Sequence, residues 1–185
     1  MKPETPAPKN KHSQRSHEAV IVGFNPTDIF AALNAAGVKY MVVGGLAVIL
    51  YGFNRYTSDL DLTVDLTVEN LRELESMLQR IGFIRRLPLS IQGLADPKTR
   101  AMWTRKKGMK VYSFIERKPP VRTIDVMVKP LKNFKEAYER RVMTTIQGVP
   151  VPLVPVDLLA QMKREAGRAE DLLDLKALRD LGRIS

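Results

Sequence analysis

The sequence predicts a mixed α/β domain: an α+β arrangement in which one mixed β-sheet is flanked by helices, with the C-terminal helices packed on it. Three observations predict it. Segments that alternate polar and apolar with period two (residues 59–65, 110–115 and 121–128) are interleaved with segments of helical period (residues 67–80 and 168–181). Gly37, Gly82 and Gly167 fall where helical segments should stop. The length, 185 residues with 44% hydrophobic and no internal repeat, suits one ordinary domain. Residues 1–17 are expected as a disordered basic tail and residues 18–185 as a single domain, with a core over about 18–130 and a helical part over about 131–185.

Asn25-Pro26 opens a first helix, with Asn as cap and Pro at the first helical position, and Ile29, Leu33 and Ala36 carry its apolar spacing to Gly37. Residues 39–43 form a short strand that runs into Gly44-Gly45, and residues 46–51 a buried helix ending near Gly52. Residues 59–65 give the clearest strand signal. Thr67 caps a helix through Arg80, with Leu71, Leu74, Leu78 and Ile81 on one face. The pattern weakens from Phe83 through Pro88 and Pro97, then returns as a strand at residues 110–115, which Pro119-Pro120 ends. A strand over residues 121–128 contains Asp125, and residues 134–142 read as a helix. Residues 144–147 and 149–154 around Gly148 form a hairpin or an extended arm. Helices follow from Pro155 to the break at Gly167 and over residues 168–181.

Composition excludes several chemistries. With no cysteine there are no disulfides, zinc-thiolate sites, iron–sulfur clusters or cysteine nucleophiles. Both histidines, His12 and His17, lie in the polar tail, so acid–base work falls to carboxylates and lysines. The most apolar run, residues 41–52, is too short to span a bilayer, and the first residues lack the apolar stretch of a signal peptide, so a cytoplasmic protein is expected. The formal charge of +10 is local: residues 1–17 carry +3, residues 85–122 carry +9, and the remainder −2. In the second basic segment Trp103, Tyr112 and Phe114 are interleaved with Arg100, Arg105, Lys106, Lys107 and Lys110. That mixture serves phosphate contact with base stacking, or equally a solvated basic loop whose aromatics are core.

Asp59 and Asp61 are two apart on a strand, so their side chains share a face while Leu60, Leu62 and Val64 take the other. Like charges that close are tolerated when solvated or when a divalent cation bridges them. Oxygen ligands alone, without His or Cys, point to Mg²⁺ or Mn²⁺. Asp125 sits in an apolar strand where a lone charge needs a partner, and pairing of the two strands would bring three carboxylates together. Asp65, at the strand end, reads as solvated or as a cap. In Val42-Val43-Gly44-Gly45-Leu46-Ala47 the glycines let backbone amides approach a phosphate at a helix start; taken alone, Gly-Gly is more often only a tight turn.

Gly44-Gly45-Leu46-Ala47, then Arg55-Tyr56-Thr57-Ser58-Asp59-Leu60-Asp61, then a lone Asp on a later strand, together resemble the nucleotidyltransferase fold of the DNA polymerase beta superfamily. The nearest likeness is to its small bacterial branch of abortive-infection type toxin nucleotidyltransferases. Lys163 and the run Arg168, Asp171, Asp174 resemble that branch's C-terminal helices, so the likeness extends from about residue 38 to 178 and leaves residues 84–121 unmatched. The resemblance implies that Asp59 and Asp61 hold the metal ions and that Asp125 completes the site and helps activate an acceptor hydroxyl. It further implies that Gly44, Gly45 and Thr57 contact the NTP, with Arg55 and Lys163 neutralising its triphosphate. Many members carry serine where this chain has Gly45. Arg168, Asp171 and Asp174 are also spaced as an ion-pair ladder on one helix face, which clamps the last helix to the core.

The function implied is transfer of a nucleoside monophosphate from an NTP to a hydroxyl acceptor, RNA such as tRNA, with Arg105, Lys106, Lys107 and Lys110 on the RNA. A toxin role with a cognate antitoxin belongs to the same resemblance. The alternatives are a catalytically silent nucleic-acid or partner-binding protein of the same fold, and a transferase acting on protein or a small molecule. An antibiotic-modifying enzyme would present an acidic pocket to a cationic drug, and the local +9 argues against that.

Overall fold

The computed structural model describes residues 25–185, so the tail expected at residues 1–17 lies outside the described residues. The first helix, α1 (Thr27–Ala35), starts one residue later than expected: Pro26 is the cap position, and the Asn25 side chain accepts the Thr27 amide at 2.9 Å. Strand β1 (Tyr40–Val42) is buried throughout and leads into α2 (Gly44–Leu50). Strand β2 (Asp59–Val64) keeps the predicted alternation, with Leu60 and Leu62 fully buried. Thr67 holds the cap position but its side chain makes no cap bond; Asp65 accepts the Thr67 amide at 3.3 Å, the second of the two roles expected for it, and α3 (Val68–Arg80) buries Leu71, Leu74, Met77 and Leu78.

The unmatched segment holds two elements that the periodicity did not predict, β3 (Phe83–Arg85) and α4 (Pro97–Lys107), separated by a 3-10 turn at Ile91–Ala95. The end signals of α4 are present in the sequence: Asp96 accepts the Lys98 and Thr99 amides, Pro97 occupies the first turn, and Gly108 closes the helix at φ 61°. What it lacks is an apolar stripe. Trp103 is its one buried residue, so no helical period shows. Trp103 stacks toward Tyr112, and Tyr112 toward Phe114, at ring-centroid distances of 6.1 and 5.4 Å inside the core. These aromatics are core residues, and base stacking by them is excluded.

Strands β4 (Val111–Glu116) and β5 (Thr123–Met127) follow. The helix expected at residues 134–142 stops early, as α5 (Phe134–Glu139), because the chain turns into β6 (Val142–Ile146), which pairs with β7 (Val149–Leu153). Gln147 and Gly148 join them at φ 48° and 80°, the two positive values of a tight hairpin turn. The part expected to be helical thus also adds a hairpin to the sheet. Helices α6 (Val156–Ala166) and α7 (Ala169–Asp180) end the chain, separated by Gly167 at φ 63°.

Among the described residues seven strands form one mixed sheet in the order β3-β4-β5-β2-β1-β7-β6, with β2 parallel to β5 and β1 parallel to β7. Leu60, Leu62, Ile124, Val126, Tyr112 and Phe114 point to the side packed into the core. The intervening residues Asp59, Asp61, Asp125 and Ser113 point the other way. A one-residue slip of β2 would carry both aspartates into the apolar layer, so burial of the leucines fixes where the carboxylates face.

Candidate active site

Asp61 on β2 stands directly opposite Asp125 on the parallel neighbour β5, and Asp59 lies one pleat away on the same face. One carboxylate oxygen from each of Asp59, Asp61 and Asp125 lies within 4.8 Å of the others. The cost of this crowding shows in their acidities. Burial first, then the charges of Asp59 and Asp125, push the Asp61 carboxyl up to about 7, against the opposing pull of Arg168 and Lys163. Burial also raises Asp125, and Asp59 adds to it, outweighing Ser113 and Arg86. The buried Oδ1 of Asp125 has no hydrogen-bond partner among the described residues. Three close, partly buried carboxylates with an orphaned oxygen are a donor set that fits a divalent cation, which would be held by Asp59, Asp61 and Asp125.

Gly44 makes room for this cluster. It sits at φ 65°, and a Cβ there would lie 1.9 Å from Asp61 Oδ2. It is Gly45 that borders the cleft. A Cβ at Gly45 would meet Thr57 Oγ1 at 2.9 Å and Arg55 Cζ at 3.3 Å, so the space a serine would use is already filled by the Thr57 hydroxyl and the Arg55 guanidinium. Thr57 Oγ1 in turn lies 3.4 Å from Asp59 Oδ1.

The opposite wall comes from the last two helices. Lys163 of α6, 4% exposed, donates to Asp174 at 2.6 Å and to Asp171 at 3.2 Å, both on α7 and each 1% exposed. Asp174 is shared with Arg55 from the loop before β2, while Asp171 takes Arg168 at 2.8 Å and closes a capping box with it. The expected clamp of the last helix is present: Arg168 and Asp171 make the intrahelical pair, while Asp174 turns to Lys163 and Arg55 instead of extending a ladder. The two aspartates are buried counter-charges that tie α6, α7 and the Arg55 loop together, and removal of one partner from such a set leaves an uncompensated buried charge.

These residues enclose a cleft of ≈ 300 Å³ lined by Gly45, Arg55, Thr57, Asp59, Asp61, Lys163 and Arg168, among others. The predicted residues Gly45, Arg55, Thr57, Asp59, Asp61 and Lys163 thus converge. Arg168, read from sequence as a structural residue, also lines the cleft; its side chain is 61% exposed and pairs with Asp171 and Glu170. Arg105, Lys106 and Lys107 project from the last turn of α4 and Lys110 from the entry to β4, all exposed and none bordering this cleft. Part of the +9 of residues 85–122 is moreover engaged within the fold: Arg122 pairs with Glu116 at 2.7 Å and Asp28 at 2.6 Å, and Arg85 with Glu75 at 3.3 Å.

A carboxylate triad on two parallel strands stands beside a glycine-bordered cleft whose far wall holds Arg55, Lys163 and Arg168 together with Glu170. The fold and site define the chain as a nucleotidyltransferase. The model of the aminoglycoside-2″-adenylyltransferase family matches residues 27–178, and the chain belongs to that family. Among solved structures it is similar to the lincosamide antibiotic adenylyltransferase LnuA in its lincomycin-bound form: 16% identity, 83% of this chain and 94% of that chain covered, TM-score 0.54. ANT(2″)-Ia in complex with adenylyl-2″-tobramycin gives 17% identity, 83% and 85% coverage, and TM-score 0.51. An antigenic nucleotidyltransferase-like protein from Paracoccidioides brasiliensis gives 15%, 84% and 72%, and 0.53. At these identities the likeness is one of fold. No curated protein matches the chain. Among the described residues no helix is long and apolar enough to cross a membrane.

Proposed function

We propose that the chain transfers a nucleoside monophosphate from an NTP to an acceptor hydroxyl, with Mg²⁺ or Mn²⁺ as cofactor. The observation that carries this reading is the meeting of Asp59, Asp61 and Asp125 oxygens within 4.8 Å at the head of a cleft walled by Arg55, Lys163 and Arg168. A divalent cation bound by the triad supplies Lewis-acid polarisation of the α-phosphate and charge neutralisation. The Thr57 hydroxyl, which fills the space a side chain at Gly45 would take, stands in for the serine common in similar enzymes. Arg55 and Arg168 face the charge that grows on the departing pyrophosphate.

The acceptor oxygen bonds to the α-phosphorus, the bond from that phosphorus to the β-phosphate oxygen breaks, and pyrophosphate leaves with the electron pair. Asp125, on the strand that pairs with β4 at the outer side of the triad, is placed to receive the hydroxyl proton. The acceptor approaches from the β5–β4 side, since Thr57, Arg55 and the last helices occupy the other. RNA, the tRNA end in particular, is one acceptor this reading admits, suggested by the basic segment; a small molecule is the other, and the family match and the antibiotic adenylyltransferase neighbours favour it. A toxin role and a cognate antitoxin rest on the sequence resemblance alone. Calorimetric titration of each NTP with Mg²⁺ or with EDTA, on wild type and Asp59→Asn, tests the core of it. NTP binding should need the divalent ion and fall at least tenfold in the variant. Equal binding in EDTA and in the variant would overturn the metal-nucleotide assignment.

A further inference from the structure

Beyond the triad, the same sheet face continues away from the nucleotide cleft. Asp61 pairs in register with Asp125, and Asp125 with Ser113 on β4. The Arg86 amide then donates to the Ser113 carbonyl at 3.0 Å, extending the row to the end of β3. The preceding Arg85 turns to the core side, where it pairs with Glu75 of α3. Alternation therefore puts Arg86 on the carboxylate face. Asp61, Asp125, Ser113 and Arg86 form one transverse row across four strands, and at ~4.8 Å per strand Arg86 stands roughly 10 Å from Asp125.

A cleft of ≈ 220 Å³ borders the Ser113 and Arg86 end of this row, with Leu87, Met109, Val111 and Tyr112 completing its lining. Through Arg86 and Leu87 it joins a larger groove of ≈ 670 Å³ at the sheet edge, which Arg85 and Arg117 also line. No acidic residue borders either space. Arg86 and Arg117 are exposed and make no ion pair among the described residues, unlike Arg85 and Arg122, whose charges are held by carboxylates. Unpaired guanidiniums in a groove without carboxylates favour phosphate, which they can grip bidentately, and offer nothing to the ammonium groups of a polycation.

We infer that the groove from Arg117 through Arg86 to Ser113 is the acceptor site, and that the acceptor is a phosphate-bearing molecule whose attacking hydroxyl reaches Asp125 while a phosphate roughly 10 Å away is held by Arg86. This rests on the nucleotidyltransferase reading. The phosphate can belong to an RNA strand or to a small phosphorylated compound. Arg105, Lys106 and Lys107, on α4, are outside the groove lining.

The test is binding of a fluorescent ten-nucleotide oligoribonucleotide, with ribose 5-phosphate titrated directly by calorimetry, to wild type and to the double variant Arg86→Glu, Arg117→Glu, with Mg²⁺-NTP affinity measured in parallel. Both arginines are exposed, and circular dichroism checks that the variant keeps its fold; Arg86→Ala alone serves if it does not. At least one probe should bind wild type and lose tenfold or more in the variant, while NTP affinity holds. Oligoribonucleotide binding should also lose salt dependence, by about 0.7 on a log-log slope per phosphate contact removed. Binding of the oligoribonucleotide without ribose 5-phosphate identifies a strand as the source, and the reverse identifies a small compound. If neither binds, or both bind the variant as they bind wild type, the groove assignment falls while the nucleotide reading stands. If Mg²⁺-NTP fails to bind wild type, it is the nucleotide reading that falls.

Discussion

Replacement of Asp61 by Asn should make the metal-free protein more stable at neutral pH. Burial, with Asp59 and Asp125 beside it, lifts the Asp61 carboxyl from 3.8 to about 7. The folded state therefore holds this proton more tightly than the unfolded state. Its contribution to stability is complete below pH 3.8 and is lost as pH rises through about 7. At 1.36 kcal/mol per unit, the loss across that window is about 4 kcal/mol. An amide has the same shape and no charge to place in the cluster. Urea unfolding followed by circular dichroism, in EDTA from pH 5 to 8, should show the wild type losing stability relative to Asp61→Asn, with the variant ahead at pH 8 by a few kcal/mol. Mg²⁺ should then raise the wild type and leave the variant unchanged. Parallel pH profiles for the two proteins in EDTA would refute the argument that Asp61 sits in a crowded, partly desolvated carboxylate cluster.

Asp174→Ala removes the shared counter-charge of Lys163 and Arg55 and should destabilise the fold by about 3–5 kcal/mol, read from denaturant midpoints. Gly44→Ala puts a Cβ against Asp61 Oδ2 at a φ of 65°, so it should cost about 1 kcal/mol or more in the same assay and abolish Mg²⁺-dependent NTP binding. Gly45→Ser collides with the Thr57 hydroxyl and should weaken NTP binding, and Thr57→Ala in the same chain should restore part of it; no recovery in the double variant would show that the two side chains do not share one space.

The parts of the fold and site that were legible in the sequence are those with a local signature. The Asp59, Leu60, Asp61, Leu62 alternation fixes both a strand and the face of its carboxylates, and Gly44-Gly45 marks the turn before α2. Convergence with Asp125 follows only if β5 pairs with β2, a contact between residues far apart in sequence that period alone cannot establish. Helix α4 was missed because only Trp103 is buried on it, although Asp96, Pro97 and Gly108 mark its ends. The clamp of the last helix by Arg168, Asp171 and Asp174 was legible, but its partners were not: spacing within a helix shows which residues share a face and not that this face meets Lys163 and Arg55. Net charge misled in part, since composition counts Arg85 and Arg122 as free and the structure pairs both. The arginines that stay unpaired on the site face, Arg86 above all, become visible only once β3 is placed beside β4.

The most direct measurement is the fate of an α-labelled NTP in single-turnover mixtures with a cell extract as acceptor source, for wild type and Asp125→Asn, with Mg²⁺ or with EDTA. Wild type with Mg²⁺ should release pyrophosphate and pass labelled monophosphate to an acceptor. EDTA should stop both, and Asp125→Asn should slow both by at least about 10²-fold. Labelled transfer by wild type in EDTA, or by Asp125→Asn at the wild-type rate, would contradict a reaction run by the Asp59, Asp61 and Asp125 cluster.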